Sequence, residues 1–213
     1  MKSRVRKRLS AEERRARIIA AAVSAFARDG YDGTKMDDIA ARAEITKPVL
    51  YDHFPSKQAL FLAVLESIRD SLIGKGKVIA QDDTSLEQKF RRSIDAFLTF
   101  VEQSPDAARV LLTVPAGDRV AAKVSREVQA GASAGIAAFL ADFAPNQPSW
   151  QRHGTAEFLK EGLHAVAVWW LDHPGPRREE ILELVLNVAW LGFRTQADAN
   201  GAVKSPGSID RNG

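Results

Sequence analysis

The stretch ITKPVLYDHFPSK, residues 45–57, determines how the rest of this sequence is interpreted. Pro48 fits the first turn of a helix, where its missing N–H costs no hydrogen bond. Pro55 predicts that this helix ends at Phe54, because the residue before a proline avoids the α conformation. Leu50 and Phe54 are four residues apart, so they lie on one face of the helix. We therefore expect a two-turn helix with an apolar inner face and an aromatic, basic outer face.

Two further helices are expected just before this one. Ser10 and Glu13 have the spacing of a capping box, which predicts a helix start, and Gly30 is a residue type that commonly ends helices. A second, short helix is expected from Thr34, as its N-cap, to about Glu44. Because the second and third helices are short and joined by only a few residues, their spacing is typical of a helix-turn-helix.

The third helix is a candidate for reading DNA, since the second helix of such a pair lies in the major groove. Lys47 suits a phosphate or the acceptors of guanine, and Pro48 and Val49 suit a thymine methyl group. Tyr51 and His53 can donate to phosphates or bases. The candidate DNA-binding residues are Thr46, Lys47, Pro48, Val49, Tyr51 and His53, together with Thr34, Lys35 and Lys57, which are placed for phosphate. On spacing alone, a small helical hairpin with a decorated surface remains the alternative.

The charge distribution supports a polyanionic partner at the N-terminal end. Residues 1–57 carry a net charge of +5, whereas the remainder of the chain carries −2, and eight basic side chains fall in the first seventeen residues. A basic arm ahead of a neutral to acidic body is typical of nucleic-acid-binding proteins. On charge alone, a disordered solubilising tail is the alternative.

The remainder of the chain is expected to be helical, which makes the predicted fold all-α. A fourth helix from residue 56 is expected to fray near Gly74 and Gly76, and Ser85 with Gln88 forms another capping box. Longer apolar-periodic segments predict helices, and no alternation typical of strands is found. The expected organisation is a basic disordered arm (1–9), a helix-turn-helix domain (10–57), a helical body (58–200) and a mobile tail (201–213), with long helices over 120–143, 150–172 and 181–199.

Composition and spacing exclude several classes of protein. The absence of cysteine excludes a disulfide framework and thiolate metal sites, and it suits a reducing cytoplasm. The sequence contains no run of 18 apolar residues, so it predicts no membrane-spanning helix. No histidine pair has zinc-protease spacing, and Glu161 with His164 supplies only half of a di-iron motif. We therefore expect neither an enzyme nor a metal site or cofactor.

A family resemblance is carried by GYDGTKMDDIAARAEITKPVLYDHFPSKQAL, residues 30–60. This segment resembles the N-terminal DNA-binding domain of the TetR (tetracycline repressor) family of bacterial regulators. The resemblance extends over about residues 10–75, and the positions that carry it are Thr34, Ile39, Ala40, Leu50, Tyr51, His53, Phe54, Lys57 and Leu60. Two positions depart from it. Glu44 stands where the family has a turn glycine, at a cost of about 1 kcal/mol if the backbone is left-handed, and Asp52 places a carboxylate on the expected DNA face.

The resemblance implies a homodimer that pairs its last two long helices, about 151–172 and 176–199, and binds a palindromic operator in double-stranded DNA. The body would then be a ligand-binding and dimerisation domain. It would hold a pocket for an unknown, largely apolar small-molecule effector, and the regulator would be a repressor released by that effector. Candidate pocket residues are Phe97, Val101, Leu111, Phe139, Phe158 and Trp169, with Arg109 and His164 as polar anchors. A filled core is the alternative for each of them.

Two other functions are compatible with a basic helical protein. A helical small-molecule-binding or interaction module without specific DNA binding would not need the basic arm or the outward Lys47, Tyr51 and His53. A non-specific DNA-coating protein would discriminate little between DNA sequences, whereas a regulator is expected to prefer its operator by more than about 10³.

Overall fold

The computed structural model describes residues 10–199, without the side chains of Ala80, Phe143 and residues 190–199. Over this range the chain forms nine α-helices and no strand, which confirms the predicted all-α fold. The helices are α1 (Ala11–Gly33), α2 (Met36–Arg42), α3 (Lys47–His53), α4 (Lys57–Ala80), α5 (Leu86–Gln103), α6 (Pro105–Leu112), α7 (Arg119–Phe143), α8 (Ser149–Asp172) and α9 (Arg178–Ala199). The predicted arm (1–9) and tail (201–213) lie outside the described residues.

The expected helix starts at Ser10 and Ser85 are confirmed. The Glu13 amide donates to Ser10 Oγ at 3.0 Å, and the Ser10 amide donates back to the Glu13 carboxylate at 2.7 Å. Ser85 and Gln88 make the same reciprocal pair at 3.2 and 3.3 Å. These bonds satisfy N–H groups that have no partner within the helix.

The expected N-cap at Thr34 and the expected fraying of α4 near Gly74 are wrong. Thr34 does not cap α2: it is buried, and its hydroxyl donates to the carbonyl oxygens of Ala25 (3.1 Å) and Gly30 (2.6 Å) at the end of α1. Gly30 breaks the regular helical path with φ 68°, and the three residues that follow make one further turn of α1. The helix α4 does not fray near Gly74 and instead continues to Ala80.

Two compact units divide the chain. The first unit contains α1, α2, α3, the part of α4 up to Ser71, and Ser104–Val128, which includes α6 and the beginning of α7. Within it α1 packs against both α6 and α2, and α2 packs against α3. Its core includes Ile18, Phe26, Ile39, Leu50, Phe61 and Leu65. This compact unit extends beyond α3 because α6 packs against α1. The predicted division of the chain at residue 57 stays a prediction.

The second unit contains the end of α4, then α5, the rest of α7, α8 and α9. Here α5 packs against α8 and α9. Arg178, at the start of α9, forms ion pairs with Asp95 (3.0 Å) and Glu102 (3.6 Å) of α5, and Arg91 of α5 pairs with Glu183 of α9 at 2.5 Å. Buried apolar side chains include Ile94, Leu98, Val101, Leu140, Ala167 and Ile181. None of the described helices is long and apolar enough to cross a membrane.

Candidate nucleic-acid interface

The helix α3 has the two faces that its sequence predicts. Leu50 and Phe54 are almost completely buried, at 0% and 3% exposure. The opposite face presents Thr46, Lys47, Pro48 and Tyr51 to solvent, with Val49 and His53 half-buried beside them. Thr46 occupies the N-cap position, although its side chain makes no capping hydrogen bond, and Pro48 lies in the first turn. A short helix anchored from beneath leaves its polar N-terminal turns free to enter a groove.

The turn between α2 and α3 contains the family departure at Glu44. Its φ of 50° is the only positive φ of a non-glycine residue in the described chain. The amides of Glu44 and Ile45 donate back to the carbonyl oxygens of Ala41 (3.1 Å) and Ala40 (3.0 Å), which closes the end of α2. Arg17 of α1 pairs with the Glu44 carboxylate at 2.5 Å. The left-handed strain at Glu44 is therefore accompanied by an ion pair that ties the turn to α1.

Lys47, the predicted base- or phosphate-binding residue, has an acidic neighbour in α2. Its ammonium lies 2.8 and 3.1 Å from the two carboxylate oxygens of Asp37. The hydrogen bond to Asp37 raises the pKa of Lys47, so its charge is maintained. Both side chains are more than half exposed. Asp37 is therefore a functional candidate that the sequence analysis did not identify.

Lys57 and Thr34 do not occupy the phosphate-binding positions expected from the sequence. The Lys57 ammonium donates to the carbonyl oxygens of Tyr31 (2.8 Å) and Thr34 (3.2 Å), and it lies 4.4 Å from the centre of the Tyr31 ring. Thr34 is buried. Both residues therefore hold the end of α1 in place, because the last carbonyl groups of a helix need donors. Lys35, which precedes α2, is exposed and stays a candidate phosphate contact.

The described residues contain no group of three or more His, Cys, Asp or Glu side chains that could hold a metal ion. The residues GASAG, 131–135, have the letters of the G-x-S-x-G nucleophile elbow, which requires an exposed serine on a sharp strand-to-helix turn. Here the five residues lie inside α7 and Ser133 is buried, so the elbow geometry is not formed.

Comparison with known proteins identifies the family. Residues 18–64, which include all of α2 and α3, match the family model for bacterial regulatory proteins, tetR family. The chain is 32% identical over 196 residues to the HTH-type transcriptional activator FasR of Mycolicibacterium smegmatis, with 87% of this chain and 85% of that protein covered. This chain belongs to the tetR family. It is a DNA-binding transcriptional regulator, as the resemblance predicts.

Solved structures of tetR-family proteins share the fold. A TetR-like transcriptional regulator from Rhodococcus sp. RHA1 superposes with a TM-score of 0.74 at 25% identity, over 88% of this chain and 99% of that one. The fatty acid degradation regulator FadR from Bacillus halodurans superposes with a TM-score of 0.72 at 19% identity, over 84% and 97%. The similarity to FadR supports a shared fold and nothing further. FasR is named as an activator, so the predicted direction of control, repression, stays a prediction.

The predicted ligand-pocket residues are divided between the two units. Phe97, Val101, Phe139, Phe158, His164 and Trp169 belong to the second unit, whereas Arg109 and Leu111 belong to the first. Phe97 and His164 stack with their ring centres 5.8 Å apart, and burial lowers the pKa of His164. Phe158 and Trp169 are 73% and 45% exposed, so they do not line an internal pocket of this chain. The expectation for these two residues is wrong because α8 turns them outward.

A small cavity of about 140 Å³ lies in the first unit. It is bounded by α1, α4 and the segment that contains α6, and Arg109 is its one residue in common with the predicted pocket. The second unit has polar side chains in its interior that sequence reasoning missed. Lys160 is 6% exposed and pairs with Glu157 (2.7 Å) and Glu161 (3.1 Å), close to the buried Ser133.

Proposed function

We propose that this tetR-family protein is a ligand-responsive, dimeric regulator that reads a palindromic operator with the outer face of α3. The observation that carries the proposal is the separation of buried Leu50 and Phe54 from the exposed face of the same short helix. The reading residues would be Thr46, Lys47, Pro48, Val49, Tyr51 and His53. Lys35 would contact phosphate, and Lys57 and Thr34 would act indirectly by holding α1.

The dimer interface would be formed by α8 and α9. Large apolar side chains are exposed on both helices of the single chain: Phe158, Trp169, Leu184 and Val188. Exposed apolar groups of this size commonly mark an interface between subunits. Trp170, by contrast, is buried and donates its indole N–H to the Pro176 carbonyl at 2.9 Å, so it supports the α8–α9 connection. The side chains of Trp190 and Leu191, further along α9, lie outside the described residues.

The effector site would lie in the second unit, around the stacked Phe97 and His164. Both rings are half-buried, and Val101 and Phe139 belong to the same unit. A lowered pKa keeps the imidazole of His164 neutral near pH 7, so it can either donate or accept one hydrogen bond. This favours a neutral, largely apolar effector. Binding would shift the equilibrium between DNA-competent and DNA-incompetent states by differential affinity for the two.

The alternatives predict different behaviour with DNA. A helical small-molecule-binding or interaction module would bind no DNA sequence tightly, and a DNA-coating protein would bind all sequences alike. Lys47 and Tyr51, which are both exposed on an anchored helix, favour the regulator over both.

The test is selection of bound duplexes from a random DNA pool by the purified full-length protein, followed by sequencing. We expect enrichment of one palindrome, bound more than about 10³ tighter than random duplex at physiological salt. Tyr51→Ala should change which bases are enriched, whereas Val78→Ala, a change on exposed α4 surface, should not. Recovery of no enriched sequence would contradict the proposal. A reporter gene placed behind the selected operator then gives the direction of control.

A further inference from the structure

The carboxylate of Asp118 joins three parts of the first unit that are distant in sequence. Tyr31, at the end of α1, donates its hydroxyl to Asp118 Oδ2 at 3.2 Å. The side-chain amide of Gln58, at the start of α4, donates to the same oxygen at 3.1 Å. The other oxygen accepts from the amides of Val120 (2.8 Å) and Ala121 (3.0 Å) at the start of α7. One carboxylate therefore caps α7 and holds the ends of two other helices.

A second hydrogen bond joins the same two segments, with the donor and acceptor segments exchanged. The amide of Gly117 donates to the carboxylate of Asp32 at 3.1 Å, immediately before Asp118 in sequence. The approach is close: a Cβ atom on Gly117 would lie 2.7 Å from that carboxylate oxygen. Only glycine fits there without movement of Asp32. We call the set Tyr31, Asp32, Gln58, Gly117 and Asp118 the Asp118 junction.

The chemistry of Asp118 suits this role. Hydrogen bonds from the Ala121 amide and then from Gln58 lower the pKa of its carboxyl group, so the ionised form is present at neutral pH. An ionised carboxylate accepts several bonds at once, each stronger than a bond between neutral groups. Tyr31 is 6% exposed, and its ring packs edge-on against Phe61 of α4 with centres 4.9 Å apart. The packing of the Tyr31 ring thus fixes the position from which its hydroxyl donates to Asp118.

The junction lies one step from the DNA-reading helix. α3 ends at His53, and α4 begins at Lys57 after three connecting residues. Gln58 is in the first turn of α4, next to Lys57, which holds the α1 carbonyl groups. A shift at the start of α4 would therefore move the end of α3 relative to α1. The family match, residues 18–64, includes neither Gly117 nor Asp118.

We propose that Asp118 is a positioning residue for operator binding, which acts through Tyr31 and Gln58 to hold the start of α4 and so the orientation of α3. This inference rests on the proposed sequence-specific function. For the loss of Asp118, it predicts a change in DNA affinity opposite to the one that charge alone predicts. Loss of an acidic group should strengthen binding to every DNA sequence if only electrostatics mattered, whereas loss of a positioning group should weaken operator binding selectively.

The test compares affinities of the full-length dimer for the selected operator and for a random duplex of equal length. Asp118→Ser retains a residue that caps α7 well but is too short to reach Tyr31 and Gln58. Tyr31→Phe removes only the hydroxyl. We expect each variant to lower the ratio of operator to random affinity, about tenfold for Asp118→Ser and about threefold for Tyr31→Phe. Affinity for the random duplex should stay the same or rise slightly.

Ser85→Ala is the stability control, because it removes the side chain that caps α5, in the second unit. It should lower thermal stability by a comparable amount without changing the affinity ratio. An unchanged ratio in Asp118→Ser and Tyr31→Phe overturns the inference, as does an equal loss in Ser85→Ala. If the random pool yields no operator, the proposed function fails and this inference fails with it. If an operator is found and the ratio does not change, only the inference fails.

Discussion

At the scale of single residues, Lys57 has an ammonium group that is engaged within the protein. Its hydrogen bonds to the Tyr31 and Thr34 carbonyl oxygens, with a longer one to Asp32 at 3.4 Å, leave it poorly placed for a phosphate. We expect Lys57→Met to lower the free energy of unfolding by about 2 kcal/mol, since bonds to charged groups contribute about that much. The methionine keeps the apolar stem in place. Urea unfolding followed by circular dichroism measures the loss.

The same variant tests whether Lys57 touches DNA. A phosphate contact contributes about one unit to the slope of log affinity against log salt concentration. We expect the slope for Lys57→Met to equal that of the wild type, whereas Lys35→Met should reduce it by about one. A reduced slope together with unchanged stability would restore the phosphate role that the sequence predicts for Lys57.

Asp37 competes with DNA for Lys47, because its carboxylate lies 2.8 Å from the ammonium that the major groove would need. We expect Asp37→Asn to raise operator affinity about threefold, the size of a typical exposed ion pair. Asp38→Asn removes the same charge from the same helical turn without touching this pair and should raise affinity less. The extra gain in operator affinity of Asp37→Asn over Asp38→Asn should vanish when each is combined with Lys47→Ala. A double-mutant cycle measured by fluorescence anisotropy tests this. Equal gains that persist without Lys47 would argue for a general charge effect.

At the scale of helices, the features predictable from sequence are those decided by neighbouring residues. The capping boxes at Ser10 and Ser85 and the limits of α3 at Pro48 and Pro55 depend on positions at most four apart. Binary patterning likewise places Leu50 inside, since a short helix has few alternatives. The all-α fold and the outer face of α3 follow from such local signals.

What could not be predicted depends on partners far along the chain. Thr34 is of a residue type that commonly caps helices. Its hydroxyl nevertheless turns back to α1, because the carbonyl groups of α1 near its C-terminal end need donors. Asp118 is separated from Tyr31 by 87 positions, and no periodic pattern relates the two. Trp169 has an apolar side chain that is equally suited to a pocket wall or a subunit interface until the orientation of α8 is known.

The packing of α5 against α8 predicts a dependence of stability on pH. His164 stacks on Phe97, and burial lowers its pKa below the ordinary value of about 6.5, with Lys160 acting in the same direction and Glu161 opposing. The folded chain therefore binds this proton less readily than the unfolded chain. The stabilisation of the folded state by neutral His164 is fully present above the unfolded pKa of the imidazole. It is lost as pH falls below about 6.5 towards the folded pKa. Wild type should lose more stability than His164→Phe between pH 7 and pH 5.

Chemical unfolding at each pH measures that difference, and the phenylalanine keeps a ring against Phe97. His153→Phe is the matched control, because it replaces an exposed histidine of the same helix while His164 remains. It should retain the acid sensitivity of the wild type. The same sensitivity in His164→Phe would show that another group is responsible.

At the scale of the whole molecule, the proposed dimer can be tested with two valines of equal exposure. Val188 on α9 and Val78 on α4 are each 67% exposed in the single chain. A glutamate at either position costs little in an isolated subunit, because the side chain reaches water. In a two-fold interface, however, each substitution occurs twice and buries two unpaired carboxylates. The two positions therefore respond alike unless one of them is covered by a second copy.

We expect Val188→Glu to be a folded monomer in light scattering and sedimentation equilibrium at micromolar concentration, while Val78→Glu remains a dimer. Circular dichroism should show the same helix content in both. A monomer presents one copy of α3, whereas a palindrome is bound by two copies whose contacts add. Val188→Glu should therefore lose at least tenfold in operator affinity while its affinity for a single half-site matches that of Val78→Glu. A dimeric Val188→Glu together with a monomeric Val78→Glu would move the interface from α9 to α4, and the exposed face of α8 and α9 would then need another partner.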